Sequence, residues 1–325
     1  MIVSCAPFRV SFAGGGSDIS VFYRRQRGAV LSCTIAKYSF AIVHQYFNEQ
    51  KYHLKYSRSE MTDTLNEIQH PLLREALRMQ KIGPGIEVTS VADIPAGTGL
   101  GSSSSFAVAL LNALYAHRSI FASKDRLARE ACELEIDYLK EPIGKQDQYA
   151  AAYGGLNFIE FHPNESVTVQ PLVLPPAIMS GLESRLMLFY TGDQRDARAL
   201  LSKQISVMQS DADKFATMQR MVDLAYAMRD VLAAEDLDGF GNLLHRGWEM
   251  KRSLGGISYS RIDDAYERAR SAGAIGGKLA GAGGGGFLVL YCSPDRQAAV
   301  CDALSDLKRV DFQFDRAGAR VAFAQ

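Results

Sequence analysis

The stretch PAGTGLGSSSS, Pro95 to Ser105, decides how this chain reads. Before it, GIEVTSVADIP from Gly85 reads as a β-strand that Pro95 stops. After it, FAVALLNALYAHR repeats apolar residues at helical period with most faces apolar, which predicts a buried helix. Glycine lets backbone N–H groups approach a phosphate closely and takes φ values that other residues avoid. A helix opening just beyond such a loop adds its free N–H groups and the positive end of its dipole. Four consecutive serines add hydroxyls suited to phosphate oxygens or a Mg²⁺ ion. A lone glycine run could equally be a tight strand-to-helix turn; the strand before and the buried helix after favour a phosphate cradle.

Working outward, 325 residues suffice for two domains or one large one. No apolar stretch approaches the roughly 20 residues of a membrane span. The start, MIVSCAPFRVSFAGGGSD, lacks a basic region followed by a long apolar segment and reads as a first strand, not as a secretory signal. The formal net charge is zero, which speaks against a nucleic-acid-coating protein. Five scattered cysteines form no CxxC pair, and the six histidines show no HExxH spacing. Reduced, buried thiols and a cytoplasmic location follow as expectations, with no membrane or nucleic-acid partner.

Ala29 to Phe47 is β-branched and aromatic enough for two strands or one long bent strand. Helices are expected around Leu73 and Leu77, over KDRLAREACELEIDYL and over QDQYAAAYG, then strands GLNFIEF and SVTVQPLVL. The Pro175-Pro176 pair is the expected domain boundary, giving units of residues 1–176 and 177–325. Beyond it come strand RLMLFYT, a long helical region from Ala197 to Arg252, helix RIDDAYERARSAG and the segment IGGKLAGAGGGGFLVLYC. Helix RQAAVCDALSDL follows, with closing strands near Phe312 and Val321. Trp248 is expected in the core or as an interdomain plug. Strands and helices mix without strict βαβ alternation, so the fold class is α+β.

Spacing removes the better-known nucleotide folds. A Walker loop needs GxxxxGK[ST], but Gly277-Lys278 is followed by Leu279. Gly97, Gly99 and Gly101 lack the GxGxxG spacing, and Gly281 to Gly286 precedes a strand instead of opening a helix. No HRD or DFG is present.

The chain resembles the GHMP kinases, the superfamily of galactokinase, homoserine kinase, mevalonate kinase and phosphomevalonate kinase. Three signature segments occur in order: PFRVSFAGGGSD at Pro7, PAGTGLGSSSS at Pro95 and KLAGAGGGG at Lys278. GAVLSCTI (Gly28 to Ile35) and GKQDQ (Gly144 to Gln148) match as well. Within the superfamily, FAGGGSD, EIQHPLLREAL, EPIGKQDQYAAAYGGLNF and GGKLAGAGGGGFLVLYC are most similar to the D-glycero-D-manno-heptose 7-phosphate kinases. Galactokinases carry Glu-His where this chain has Gly15-Gly16, which removes a charge from the sugar pocket. The resemblance implies an N-terminal domain like ribosomal protein S5 domain 2 and a ferredoxin-like C-terminal domain, with ATP and Mg²⁺ as cofactors. It also implies transfer of the γ-phosphate to the anomeric hydroxyl of a heptose 7-phosphate. An L-fucokinase-like or galactokinase-like 1-kinase, or a catalytically silent sugar sensor, are the alternatives on this fold.

Roles follow from the same resemblance. Asp147 matches the catalytic base and Arg9 a basic position able to hold it ionised. Lys145, two residues before Asp147, is placed with them as a catalytic candidate that either assists or faces solvent. Glu135, twelve positions before Asp147, matches the Mg²⁺ glutamate, with Glu133 its local competitor. Ser102 or Ser103 would be the second Mg²⁺ ligand. Pro95, Gly97, Gly99, Leu100, Gly101, Ser102, Ser103 and Ser104 are the expected ATP contacts. Gly15, Gly16, Ser17 and Asp18 are expected at the sugar, Asp18 having the alternative of capping the helix SVFYRR. Gly283 and Gly284 should close over the ligands through backbone N–H groups. A substrate phosphate needs cations, and the candidates are Arg24, Arg25, Lys37, Arg195 and Lys278.

Overall fold

The structure is a computed structural model that describes residues 1–192, 197–254, 259–281 and 283–325. Arg195 lies outside these residues.

The first sheet is built around two long strands, β1 (Ile2–Ala13) and β2 (Gly28–Gln45). They pair antiparallel along most of their length, with register shifts at Pro7/Phe8 and Ser11/Ala13. The segment from Ala29 thus forms one strand, not two. Its far half, Ser39–Gln45, pairs with β5 (Ile86–Ala92), which runs parallel to β3 (Tyr52–Lys55), itself hairpinned to β4 (Ser59–Thr62). Its near half, Gly28–Cys33, pairs with β6 (Leu156–Phe161), which carries β7 (Val167–Pro171). Because neighbouring strands diverge from the middle of β2, the sheet splays open there.

The second sheet has β8 (Leu186–Tyr190), β9 (Ala274–Leu279), β10 (Phe287–Cys292) and β11 (Lys308–Arg309) in the order β11-β8-β10-β9, all antiparallel. This is the strand order 4-1-3-2 of a ferredoxin-like unit. The last strand, β12 (Arg320–Ala324), leaves that unit and pairs with β1. The first sheet is therefore completed by residues beyond the Pro175-Pro176 turn. Of the expected strand near Phe312, only an isolated bridge between Ile35 and Phe314 forms.

Helices α1 (Ser20–Tyr23), α2 (Pro71–Met79), α3 (Ser102–His117), α4 (Lys124–Cys132) and α5 (Gln146–Tyr153) belong to the first unit. Helix α3 is apolar all round and lies in the core beneath β1 and β2, where Phe106, Leu110, Leu111 and Leu114 pack with Val30, Val43 and Val88. The stretch KDRLAREACELEIDYL does not form one regular helix. It passes from α4 into a π-helical segment, Glu133–Tyr138.

Helix α6 (Pro176–Arg185) starts at the second proline of the Pro pair, the first-turn position where a missing N–H costs nothing. The long helical region divides into α7 (Ala197–Ser210), α8 (Ala212–Ala233) and α9 (Leu237–Ser253), each of the latter two capped by an aspartate, Asp211 and Asp236. Helices α10 (Ser260–Ser271) and α11 (Gln297–Ala303) complete the second unit.

Two layers of core follow. The opposite face of β1 and β2 meets α8, α9 and the second sheet in one continuous cluster that includes Phe8, Phe12, Leu31, Met221, Phe240 and Tyr291. Phe12 and Phe240 meet edge to face at 5.2 Å. Trp248 sits in the outer core of the second sheet with Tyr266 and Phe189, so it is core and not an interdomain plug. Because the shared cluster joins the two sheets, their unfolding should be one event. In urea, the fluorescence of Trp248, which reports the second unit, should give the same midpoint as far-ultraviolet circular dichroism. Two separated midpoints would contradict the shared core. Phe240→Ala should lower both together, by about 3–5 kcal/mol.

Candidate functional site

A cavity of about 350 Å³ opens where the end of β1, the Gly/Ser loop, the start of α5 and α9 converge. Arg9 projects into it from β1 and is almost wholly buried. Its Nε donates to Oδ1 of Asp147 at 2.7 Å and its Nη2 to Oδ2 at 2.8 Å, a two-pronged ion pair. Nη1 donates to the Gly99 carbonyl at 2.6 Å, and the Arg9 backbone N–H to the Leu100 carbonyl at 3.1 Å. One side chain thus fixes the carboxylate in the first turn of α5 against the loop before α3.

The loop itself must be glycine at two contact points. Gly101, the residue before α3, has φ 78°, and a Cβ there would lie 3.1 Å from Asp147 Oδ2. Gly99, φ 83°, faces the β9–β10 turn so closely that a Cβ would come 2.7 Å from the Ala280 carbonyl oxygen. The first loop is thereby seated on the third glycine segment. Ser102, Ser103 and Ser104 open α3 and line the cavity. Ser105 points the other way and donates to the Pro7 carbonyl at 2.8 Å, fastening α3 to β1.

Glu135 reaches the same cavity from the π-helical segment, whose wider turn departs from the α-helical register. Its Oε1 accepts from Ser103 Oγ at 2.7 Å and its Oε2 from Gln148 Nε2 at 2.6 Å. Burial pushes its carboxyl up to about 7, against the pull of these serine and glutamine hydrogen bonds. Glu133 is half-buried and accepts from the Tyr138 hydroxyl at 3.2 Å.

Asp18 is buried and does not cap α1, whose cap position is Ile19. Its Oδ1 accepts from Gly16 N at 2.9 Å and from Gln146 Nε2 at 3.0 Å, and its Oδ2 from Gln146 N at 3.1 Å. Burial, with the nearby Asp147 carboxylate second, raises its pKa. The arrangement fixes the Gln146 amide with its Oε1 buried and without a hydrogen-bond partner among the described residues. Ser11 Oγ is likewise buried and unpaired, and both residues line the cavity.

Several residues marked in the sequence lie elsewhere. Lys145 Nζ donates to Glu165 Oε2 at 2.7 Å and sits 4.6 Å above the Tyr23 ring, while Arg24 Nε donates to Glu165 Oε1. Neither lines the cavity; Lys145 and Asp147, two positions apart at the start of a helix, leave it on different faces. Arg25 stacks over Phe215 at 4.1 Å. Lys37 and Pro95 border a separate cavity of about 460 Å³ with Tyr190, Phe287 and Lys308. Ser17 bonds the backbone of Ala29 in both directions and is fully buried, and Leu100 belongs to the core. Gly15, Gly16, Gly97 and Lys278 do line the main cavity; of the third glycine segment Gly281 lines it, and Gly283 and Gly284 are not among its lining residues. Ser11, Gln146, Gln148 and Lys251 were not marked. Gln146 and Gln148 flank Asp147 in GKQDQ, so that string carried a signal for them; Lys251 had none beyond its place on an amphipathic helix.

No helix among the described residues is long and apolar enough to cross a membrane. Residues 64–155 match the GHMP kinases N terminal domain, and residues 228–309 match the GHMP kinases C terminal region. The chain is 28% identical to D-glycero-alpha-D-manno-heptose 7-phosphate kinase of Campylobacter jejuni, over 97% of this chain and 96% of that protein. It shares 27% identity and a TM-score of 0.81 with the structure of a D-glycero-D-manno-heptose 1-phosphate kinase from Bacteroides thetaiotaomicron, covering 100% of both chains. Lactococcus lactis galactokinase has the same fold, with a TM-score of 0.79 at 17% identity over 99% of this chain and 94% of that one. With both halves matched in order around one cavity, the chain belongs to the GHMP kinase family and is an ATP-dependent phosphotransferase.

Proposed function

We propose that this protein is a cytoplasmic sugar 1-kinase that phosphorylates D-glycero-D-manno-heptose 7-phosphate at its anomeric hydroxyl, giving the 1,7-bisphosphate. The likeness to the Campylobacter jejuni kinase over nearly the full length of both chains supports the acceptor. The observation that carries the chemistry is the position of Asp147. Arg9 occupies one side of its carboxylate, and the other side faces the cavity beside the N-terminus of α3. Phosphoryl transfer asks for positioning, charge neutralisation and an acceptor for the hydroxyl proton. The backbone N–H groups of Gly97 to Gly101 and the first turn of α3 are suited to hold the ATP phosphates. Asp147 takes the proton as the anomeric oxygen bonds to the γ-phosphorus and ADP leaves.

Glu135 and Ser103 suit a Mg²⁺ ion. The Glu135 carboxylate is buried with no ion-pair partner among the described residues, a charge imbalance that a hard cation would remove. Mg²⁺ is commonly held by one or two carboxylates together with substrate phosphates, and Glu135 and Ser103 would hold it here, where it would supply neutralisation of phosphate charge. On the acceptor side, Gln146 Oε1 and Ser11 Oγ are free to bond sugar hydroxyls, with Asp18 orienting Gln146. A sugar phosphate would find the Arg198 guanidinium in the cavity wall.

The direct test is a transfer assay against free and phosphorylated hexoses and heptoses. Heptose 7-phosphate should be the preferred acceptor; preference for an unphosphorylated hexose or 6-deoxyhexose would refute the assignment. Asp147→Asn should leave the ATP dissociation constant within about threefold while turnover drops by about 10²- to 10⁴-fold. Retained turnover would remove Asp147 from the role of base.

Glu135 gives a pH signature. Its folded carboxyl titrates near 7 and its ordinary value is 4.5, so the folded chain binds the extra proton between those limits. Stability from this group is full below 4.5 and is lost as pH rises through 7, a change of about 3 kcal/mol without metal. Glu135→Gln should flatten that slope in metal-free urea unfolding at pH 5 and pH 8, and should abolish Mg²⁺-dependent turnover. An unchanged slope would show that the carboxylate is not desolvated.

A further inference from the structure

Two buried ammonium groups line the same cavity as Glu135 and the serines. Lys251, near the end of α9, donates from Nζ to the Gly281 carbonyl. Lys278, in β9, donates from Nζ to the Ser11 carbonyl at 2.6 Å and more weakly to that of Phe12 at 3.4 Å. Each is only 7% exposed, and neither has a carboxylate partner among the described residues. Carbonyl oxygens orient an ammonium group but leave its charge uncompensated, and a buried uncompensated charge is costly. Burial holds both pKa values below the ordinary lysine value, Lys251 at about 8, and Arg9 adds like-charge repulsion to each. An anion arriving between them would relieve both effects.

The contacts locate that anion. Gly281, which Lys251 grips, is seated on Gly99; a Cβ on Gly281 would come 2.6 Å from Gly99 Cα. The Gly99 carbonyl receives Arg9 Nη1, and Arg9 clasps Asp147. Lys278 is anchored two and three residues along β1 from Arg9. Both ammonium groups are therefore anchored close to the base and the loop, whereas Arg198, which pairs with Glu141, is largely exposed.

We propose that Lys251 and Lys278 are catalytic residues that contact the phosphoryl group in transit and neutralise its equatorial oxygens. As the bond from the γ-phosphorus to the ADP oxygen breaks and the bond to the acceptor oxygen forms, negative charge spreads over those oxygens. The acceptor proton goes to Asp147, and the lysines remain protonated throughout. Ammonium groups preorganised in a dry site stabilise such charge more than water does. The inference rests on phosphoryl transfer from ATP and not on the identity of the sugar.

The test uses the full chain with Lys251→Met and Lys278→Met, which keep the stem and remove the charge. Binding of ADP with Mg²⁺ is measured by calorimetry with and without aluminium fluoride, a planar mimic of the moving phosphoryl group. In the parent, fluoride should tighten ADP binding at least about tenfold, and each variant should lose that gain while binding ADP alone within about threefold. Turnover should fall by about 10²-fold in each variant, equally for phosphorylated and free sugar acceptors. If a methionine variant melts early, Lys251→Arg and Lys278→Arg keep the charge and should retain part of the fluoride-dependent gain. Undiminished tightening in the variants, or none in the parent, would overturn the proposal. So would a loss confined to the KM of phosphorylated acceptors, which would make the lysines a seat for the acceptor's own phosphate. No sugar is added in the fluoride assay, so failure of the heptose assignment leaves this result readable on its own.

Discussion

The bidentate pairing of Arg9 with Asp147 is the constraint from which the rest of the site takes its shape. It joins β1 to α5, and through Gly99 it joins both to the Gly/Ser loop. An arginine this deeply buried without a carboxylate would be strongly destabilising, so the base and its partner are as much part of the fold as of the chemistry. The loop can approach only because Gly101 offers no side chain toward the carboxylate. The third glycine segment can then close on Gly99 from the second sheet. Four parts of the chain are thus assembled around one ion pair.

Charge is distributed across the cavity in a consistent way. Glu135, Asp18 and Asp147 arise from the first unit, and Lys251 and Lys278 from the second, with Arg9 between them. Each acidic group is saturated on its protein side by serine, glutamine, backbone or arginine donors. Each lysine is saturated by carbonyls. What is left uncompensated on both walls faces inward. A substrate complex carrying phosphates and a divalent cation is the composition that would balance it.

Much of this was readable from sequence where the signal is local. The phosphate loop announces itself because glycine spacing, serines, a preceding strand and a following helix all lie within one window. The α+β class was legible from element order, while the ferredoxin-like second unit was implied by the family resemblance, and the strand order β11-β8-β10-β9 agrees. Where side-chain direction mattered, proximity in sequence misled. Lys145 adjoins the catalytic string yet turns to Glu165, and Ser17 adjoins Asp18 yet bonds β2. The π turn that delivers Glu135 was hidden, because its sequence continues the amphipathic pattern of α4. Lys251 was invisible for a different reason. Its helix reads as amphipathic, and nothing in a periodic pattern tells that the end of one face will reach a loop on another sheet.

The return of β12 to β1 has a consequence for how the molecule is made. Ser4 and Arg320, which meet across that edge, are 316 positions apart. Until residues 320–324 emerge, Ile2–Cys5 of β1 therefore waits with one edge unpaired beside a growing chain. Contacts of such separation form slowly because loop closure must precede their reward. An exposed strand edge in that interval is a template for wrong partners. The edge that β12 covers is Ile2–Cys5, four residues before Arg9 on the same strand, so the entry of that strand into the sheet waits on a contact made across the whole fold.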